Sequence, residues 1–335
     1  IAITADPQDI NPLYVVDQTS FDVMQALYSP FFEIVHGEMY YGNGLCENVT
    51  SNDDATEFTL TLKDGLMWDD GEPITADDVV FTMQVLVDEN QNVPYSSYGF
   101  IDGQPVQAEK VDDRTVKLIL PESSAGFLGG LSQVYCIPKH IYEGVENIGD
   151  SDLNNNPVGC GPFKFDEYKS GEYIRVVKND KWFNDVNLDS ITFRIIKDAN
   201  SANAALASGD LDARLISADE YQTVSGYSNV NIYAYNSGRV NAMFLNQSTP
   251  ALQDVRVRQA IAYGLNKQEL CNFAFLSEEY ADPAYSILTP DTLYYTEPDN
   301  VMDNDPEKAT ELLTEAGQQN LTLRLMYVST DKTEE

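Results

Sequence analysis

Few side chains in this sequence of 335 residues have the chemistry for catalysis, starting with its two histidines, His36 and His140. His36 stands beside a strand-and-turn pattern and His140 follows Pro138-Lys139; neither has a Ser or Cys nucleophile signature nearby, so each reads as structural rather than as a general base. No HExxH, GxSxG, Walker A or GxGxxG pattern occurs. The adjacent acids Asp53-Asp54, Asp69-Asp70 and Asp112-Asp113 suggest the paired carboxylates of glycoside hydrolysis. Neighbours on a strand face opposite sides, however, and neighbours near turns are ordinary solvated residues. Two distant acids meeting in a cleft would leave no such trace, so an acid-rich extracellular hydrolase stands as the rival reading from another class, while no enzyme is the expectation.

Metal and phosphate chemistry fare no better. Asp150, Asp152 and Asn154 reproduce the first three ligand positions of a calcium loop, but Asn155 replaces the required glycine and Gly161 the bidentate glutamate. Turn chemistry leading into Pro157 accounts for them, and neither a metal nor a cofactor is expected. The run Asn156-Pro157-Val158-Gly159-Cys160-Gly161-Pro162-Phe163 has the glycines of a phosphate cradle, yet its two prolines remove donors such a nest needs, so a tight crossing between domains fits better. The four cysteines, Cys46, Cys136, Cys160 and Cys271, are scattered and form no CxxC, which excludes a zinc knuckle or a thioredoxin-like motif. Such a set permits three fully paired arrangements, and free buried thiols are the default.

The elements that must carry these residues follow from periodicity. Phe58, Leu60 and Leu62 alternate, as do Val116, Leu118 and Leu120, and both runs read as half-buried strands. Between them Thr75-Ala76-Asp77-Asp78 resembles a capping box with Asp in place of Glu, predicting a helix from Ala76 to about Glu89. Ile191, Phe193 and Ile195 make a strand, followed by an Ala-rich helix over 199–207 that stops at Gly209. Ile1–Thr4 and Met243–Leu245 are further candidate strands. Asp254 caps a helix, Asn266 with Glu269 begins another, and Asp305-Pro306 opens a helix that ends at Gly317. Leu321, Leu323 and Leu325 predict a strand, and Thr330–Glu335 the start of another helix. The mixture is α/β or α+β, without repeats or low-complexity runs.

Composition narrows the partners. With 43% hydrophobic residues the chain can bury a large core, and its length calls for two or more domains. Fifty-four acidic against 20 basic residues give a net charge of −34, which repels phosphate backbones and anionic lipid headgroups. Nucleic acid and the membrane surface are therefore excluded as partners, and the charge fits solubility outside the cytoplasm or in salty surroundings. No apolar run reaches membrane-spanning length, and residues 1–10 lack the basic start and apolar stretch of a signal peptide, so an exported protein would have lost its targeting segment before Ile1.

Four blocks, in order, resemble the peptide/nickel-type (family 5, cluster C) solute-binding proteins of ABC importers. Asp9-Ile10-Asn11-Pro12-Leu13 with Leu27-Tyr28-Ser29-Pro30-Phe31-Phe32-Glu33 is similar to the family's opening "LNP…LYEGL". Phe58–Phe81, with Trp68-Asp69-Asp70-Gly71 and Thr75-Ala76-Asp77-Asp78-Val79-Val80-Phe81, is similar to "WhDG.p.tAdDVvfs". Pro157–Phe163 looks like "PvGTGPY" with Cys160 in place of Thr, so the loop is expected to be secured differently. Asp254–Lys267 and Asp305–Gly317 complete the match, with Asn266 and Lys267 where Asp and Arg are common.

The resemblance implies a periplasmic-binding-protein-like type II fold with two lobes closing on a ligand, truncated before the end of the second lobe. It divides the chain into a first segment of domain I (1–42), a small inserted domain II (43–155), a second segment of domain I with the hinge (156–248), and the first part of domain III (249–335). It implies a short peptide ligand held through its backbone and charged ends, a membrane permease as partner, a monomeric chain, and a place in the periplasm or, lipid-anchored, at the outer face of the cell membrane. A nickel chelate or an oligosaccharide is the alternative ligand of the same fold. Val16, Asp17, Gln18 and Thr19 match a ligand-lining segment, and Arg239–Met243 a strand entering the cleft from the other side. Asp17 has the chemistry to accept a ligand ammonium, Arg239 to pair with a carboxylate and Asn241 to bond a peptide group, with Met243 beside them; plain surface or hinge roles stay open for each. The family pattern also suggests Cys136 paired with Cys160.

Overall fold

The computed structural model describes every residue except 36, 276–279, 291, 293–294 and 327–335, so His36 and the helix expected at Thr330–Glu335 lie outside the described residues. The chain divides into two compact units, Ile1–Arg214 and Leu215–Glu335. The first runs β1 (Ala2–Ile3), α1 (Gln18–Leu27), β2 (Cys46–Ser51), β3 (Glu57–Leu62), α2 (Ala76–Val87), β4 (Gln107–Lys110), β5 (Thr115–Ile119), β6 (Phe163–Lys169), β7 (Tyr173–Lys178), β8 (Ser190–Ile195) and α3 (Ala199–Ser208), with short hairpins and single-turn helices between them.

Two four-stranded sheets result. One is ordered β2-β3-β5-β4 and wholly antiparallel, pairing Phe58 with Leu118 and Leu60 with Val116. Alternation therefore faces the same way on both strands, and Phe58, Leu60, Leu62, Val116 and Leu118 are all buried. Burying each such side chain contributes about 1.5–3 kcal/mol. The other sheet is ordered β1-β8-β7-β6, in which β1 runs parallel to β8 and the remaining pairs are antiparallel. It thus joins the start of the chain to residues 163–195.

Helix α2 begins where the sequence predicts it. The Thr75 hydroxyl accepts from Asp77 N (3.2 Å), and the Asp78 carboxylate accepts from Thr75 N (2.8 Å), so Asp is long enough to close the box. Asp78 is buried, and its other oxygen accepts from Lys139 N (2.9 Å), which ties the start of α2 to the short helix Lys139–Tyr142.

Three of the sequence blocks meet at the C-terminal end of α1. The Leu27 carbonyl accepts from both Cys160 N (2.9 Å) and Gly161 N (2.8 Å). The approach is so close that a Cβ at Gly159 would stand 2.1 Å from Leu27 O, and one at Gly161 2.6 Å from Leu27 C. Gly159 and Asp69 exchange two further bonds: Asp69 N donates to Gly159 O and Gly159 N to the Asp69 carboxylate, each at 2.9 Å. The N–H groups of Gly159, Cys160 and Gly161 are thus spent on protein acceptors, which leaves none of the three for a phosphate. Beside it, His140 Nε2 lies 2.8 Å from the Asp70 carboxylate, and Asn154, of the calcium-like run, bonds Asn11, Tyr142 and Ile148. No cluster able to hold a metal occurs among the described residues.

The cysteine pairing suggested by the family pattern is not formed. Cys136 and Cys160 are buried free thiols, the first accepting from the Thr82 hydroxyl and the second from Ser29 N, each at 3.5 Å. Burial pushes the Cys160 thiol up to about 12, which keeps it neutral; Cys160 and the paired bonds to Leu27 O together secure the loop in place of a threonine.

The second unit holds α4 (Val255–Gly264), α5 (Lys267–Phe275) and α6 (Pro306–Glu315), capped by Asp254, Asn266 and Asp305 as predicted. Ala260, Ala309 and Leu312 form its buried cluster, with Tyr263 and Leu313 packed against it. The strands predicted at Met243–Leu245 and at Leu321, Leu323 and Leu325 are not formed: residues 230–246 and 321–326 carry no helix or strand. Alternation supplies a face, but a strand also needs a neighbour for its N–H and C=O groups, and no strand pair occurs among the described residues of this unit.

These contacts set three expectations for stability, the first two read by denaturant unfolding and the third by melting temperature against pH. Asp78→Ala strands the half-buried backbone donors of Thr75 and Lys139 and costs about 2–3 kcal/mol, against about 1 kcal/mol for Thr75→Ala. Gly159→Ala costs about 1–3 kcal/mol, whereas Gly129→Ala, where a Cβ meets nothing within 4 Å, stays near wild type. Burial raises the Asp69 carboxyl to about 6, against the lowering influence of the Gly159 N–H. The folded state then holds a proton that the unfolded state releases near pH 4, so this group's contribution to stability falls as pH rises from about 4 to 6. Asp69→Asn keeps an acceptor for Gly159 and should flatten the melting temperature over that window relative to wild type; parallel curves would refute the assignment.

Candidate functional site

Val16, Asp17, Gln18 and Thr19 sit together where an irregular loop enters α1. Asp17 is its N-cap in extended backbone, with one oxygen accepting from Ser20 N (2.9 Å) and the other from the Ser20 hydroxyl (2.5 Å). That hydroxyl in turn accepts from Gln8 N (2.9 Å), so the cap also fastens the preceding loop. Gln18 donates to Asp22 one turn on (2.7 Å), and Thr19 is buried. Val16 is 62% exposed whereas Val15 is 1% exposed, so the backbone turns outward between them. Asp17 is therefore a carboxylate already oriented by a helix terminus, with its negative charge where the helix dipole favours it.

Tyr95, which the sequence reading missed, stands against this loop, backed by Tyr98. The Tyr95 hydroxyl donates to Val15 O, and the Tyr95 and Tyr98 rings stack with centroids 6.0 Å apart and planes at 3°. Burial, then Tyr98 and Asp17, raise the Tyr95 phenol above its ordinary value, so it remains a donor at neutral pH. The sequence Val93-Pro94-Tyr95-Ser96-Ser97-Tyr98 has no helical or strand period, and its partner lies 80 residues away, so only the fold reveals the contact.

Arg239, Asn241 and Met243 lie in the second unit, on the stretch without regular structure. It begins with a turn in which Asn236 Oδ1 accepts from Gly238 N (3.0 Å) and Gly238 takes φ 64°. All three residues are exposed, and the expected strand is not formed, for the reason given above. The structure groups the four residues at α1 in one unit and these three in the other.

No helix among the described residues is long and apolar enough to cross a membrane. Residues 41–335 match the model of the family described as bacterial extracellular solute-binding proteins, family 5. The oligopeptide-binding protein AppA of Bacillus subtilis is 29% identical over 323 residues, covering 93% of this chain and 58% of AppA. Among solved structures, the ABC transporter substrate binding protein CtaP from Listeria monocytogenes superposes with a TM-score of 0.88 at 42% identity, over 94% of this chain and 64% of CtaP. NikZ from Campylobacter jejuni, solved with Ni(L-His), gives 0.82 at 26% identity, over 94% and 62%. The chain thus spans about 58–64% of the relatives it matches. The match over residues 41–335, with the motif geometry at Leu27, Asp69, Thr75 and Gly159, shows that the chain belongs to the bacterial extracellular solute-binding proteins, family 5.

Proposed function

We propose that this chain belongs to the extracytoplasmic solute-binding component of an ABC importer and captures short peptides in a cleft between two lobes. The observation that carries the reading is the family match over residues 41–335. Peptide is favoured among ligands because AppA is an oligopeptide-binding protein. In this reading Asp17 meets the ligand ammonium, Arg239 its carboxylate and Asn241 a peptide group, with Val16, Gln18, Thr19 and Met243 lining the wall. Affinity then comes mostly from bonds to the peptide backbone, and side chains of the ligand are tolerated. The closed form is what a membrane permease would recognise.

The proposed partition into segments 1–42, 43–155, 156–248 and 249–335 draws support from the sheets. The sheet β2-β3-β5-β4 lies wholly within 46–119, whereas the other sheet joins residues 2–3 to 163–195. An inserted domain produces that pattern. The Asp69–Gly159 exchange would then sit at the crossing out of the insertion. The protein would act as a monomer in the periplasm or on a lipid anchor at the outer face of the membrane.

A second reading has its own support, because NikZ binds Ni(L-His) on the same fold. A thermal-shift series with tetra-alanine, cellotetraose and nickel–histidine separates the possibilities. Peptide is expected to raise the melting temperature, by an amount that grows with the logarithm of its concentration above Kd, and to be recovered intact. A response to nickel–histidine alone would move the protein to chelate carriage, and hydrolysed peptide would overturn binding for transport.

A further inference from the structure

The loop ahead of Val16 is held at two successive residues by the segment 89–98. The Tyr14 hydroxyl donates to Gln91 O (3.0 Å), while Gly149 leaves room for the Tyr14 ring, since a Cβ there would stand 2.7 Å from it. One residue on, Val15 O accepts from the Tyr95 hydroxyl. Tyr95 is backed by the stacked Tyr98 ring, and Tyr98 by the short helix Phe127–Leu131, where a Cβ on Gly130 would come to 3.0 Å of the ring. A line of packed groups therefore runs from that helix through the two tyrosines to the carbonyl that immediately precedes the outward-turning Val16.

We propose that Tyr95 is a positioning residue for the segment Val16–Thr19, fixing the direction in which its backbone and the Asp17 carboxylate present themselves to a ligand. The proposal rests on the reading of that segment as part of the ligand wall. It does not require Tyr95 to touch the ligand. Residues 43–155 and 1–42 fold as parts of one unit, so a hydroxyl reaching from one to the other sets the loop relative to the body that carries it. Binding through sequence-independent backbone bonds demands such a fixed direction, because a loop that wanders must be ordered again each time a peptide binds.

Tyr95→Phe removes only the hydroxyl, and Tyr98→Phe, which keeps the stack, is the control. Amide hydrogen exchange on the full chain is expected to quicken at residues 15–19 in Tyr95→Phe, with the later turns of α1 and the Tyr98→Phe protein unchanged. Calorimetric titration with tetra-alanine is expected to show Kd weakened about five- to tenfold in Tyr95→Phe, as the loss of one positioning hydrogen bond implies. Unchanged exchange at 15–19 overturns the positioning role whether or not a ligand binds, and quickened exchange with an unchanged Kd overturns its bearing on the ligand. Failure of wild type to bind tetra-alanine instead counts against the peptide reading, and the exchange experiment still decides the role of Tyr95.

Discussion

The last carbonyl of α1 is the constraint on which the rest of the first unit depends. A helix ends with carbonyls that lack intrahelical partners, and Leu27 O meets that need by accepting two consecutive backbone donors from a loop more than 130 residues away. Two donors can converge on one oxygen only if the backbones nearly touch, which excludes any Cβ at Gly159 or Gly161. The Asp69–Gly159 exchange then fixes the Trp68-Asp69-Asp70-Gly71 turn to the same loop. Since β6 starts at Phe163 and α2 follows the turn, this junction ties the end of α1 to the start of β6 and to the turn that leads into α2.

The same placement bears on the proposed ligand-lining segment. Asp17 opens the helix whose end is locked at Leu27, so the direction of its carboxylate is inherited from the junction through ten helical residues. The opposite end of the same helix carries the outward-turning Val16. The segment Val16–Thr19 needs little stability of its own, because the helix it leads into is ordered by the buried contacts of Val23, Met24 and Leu27.

Much of this frame is legible in the residues. Phe58, Leu60 and Leu62 declare their face by alternation, and Thr75, Asp254 and Asp305 declare helix starts because a side-chain acceptor beside orphan N–H groups is a local bond. What the residues do not declare is any contact whose second partner is remote. Asp69 and Asp70 read as ordinary turn acids, yet the first meets Gly159 and the second His140. The same blindness hides Tyr95 on Val15 O, and it promotes Leu321, Leu323 and Leu325 to a strand that finds no neighbour among the described residues. Cys136 and Cys160 show a further error: the pairing suggested by the family pattern is not formed, and each sulfur instead accepts from a remote donor, Cys136 from the Thr82 hydroxyl and Cys160 from Ser29 N.

The division between what is recognisable and what selects the ligand has a physical cause. Seven motif residues, Asp69, Thr75, Asp78, Gly159, Gly161, Asp254 and Asp305, are engaged in holding backbone in place or in capping a helix. Such bonds fail if the residue type changes, which makes the pattern recognisable. The proposed ligand-lining residues lie outside the motif blocks: Val16, Gln18, Arg239, Asn241 and Met243 are exposed, so a substitution there alters mainly what is presented, whereas Asp17 caps α1 and Thr19 is buried. One frame can then present different chemistry to different ligands, as an oligopeptide-binding AppA and a NikZ holding Ni(L-His) both show. If the proposed peptide reading holds, the decisive quantity is the fixed direction of the exposed segments, and groups such as Tyr95, which need never touch the ligand, are placed to set it.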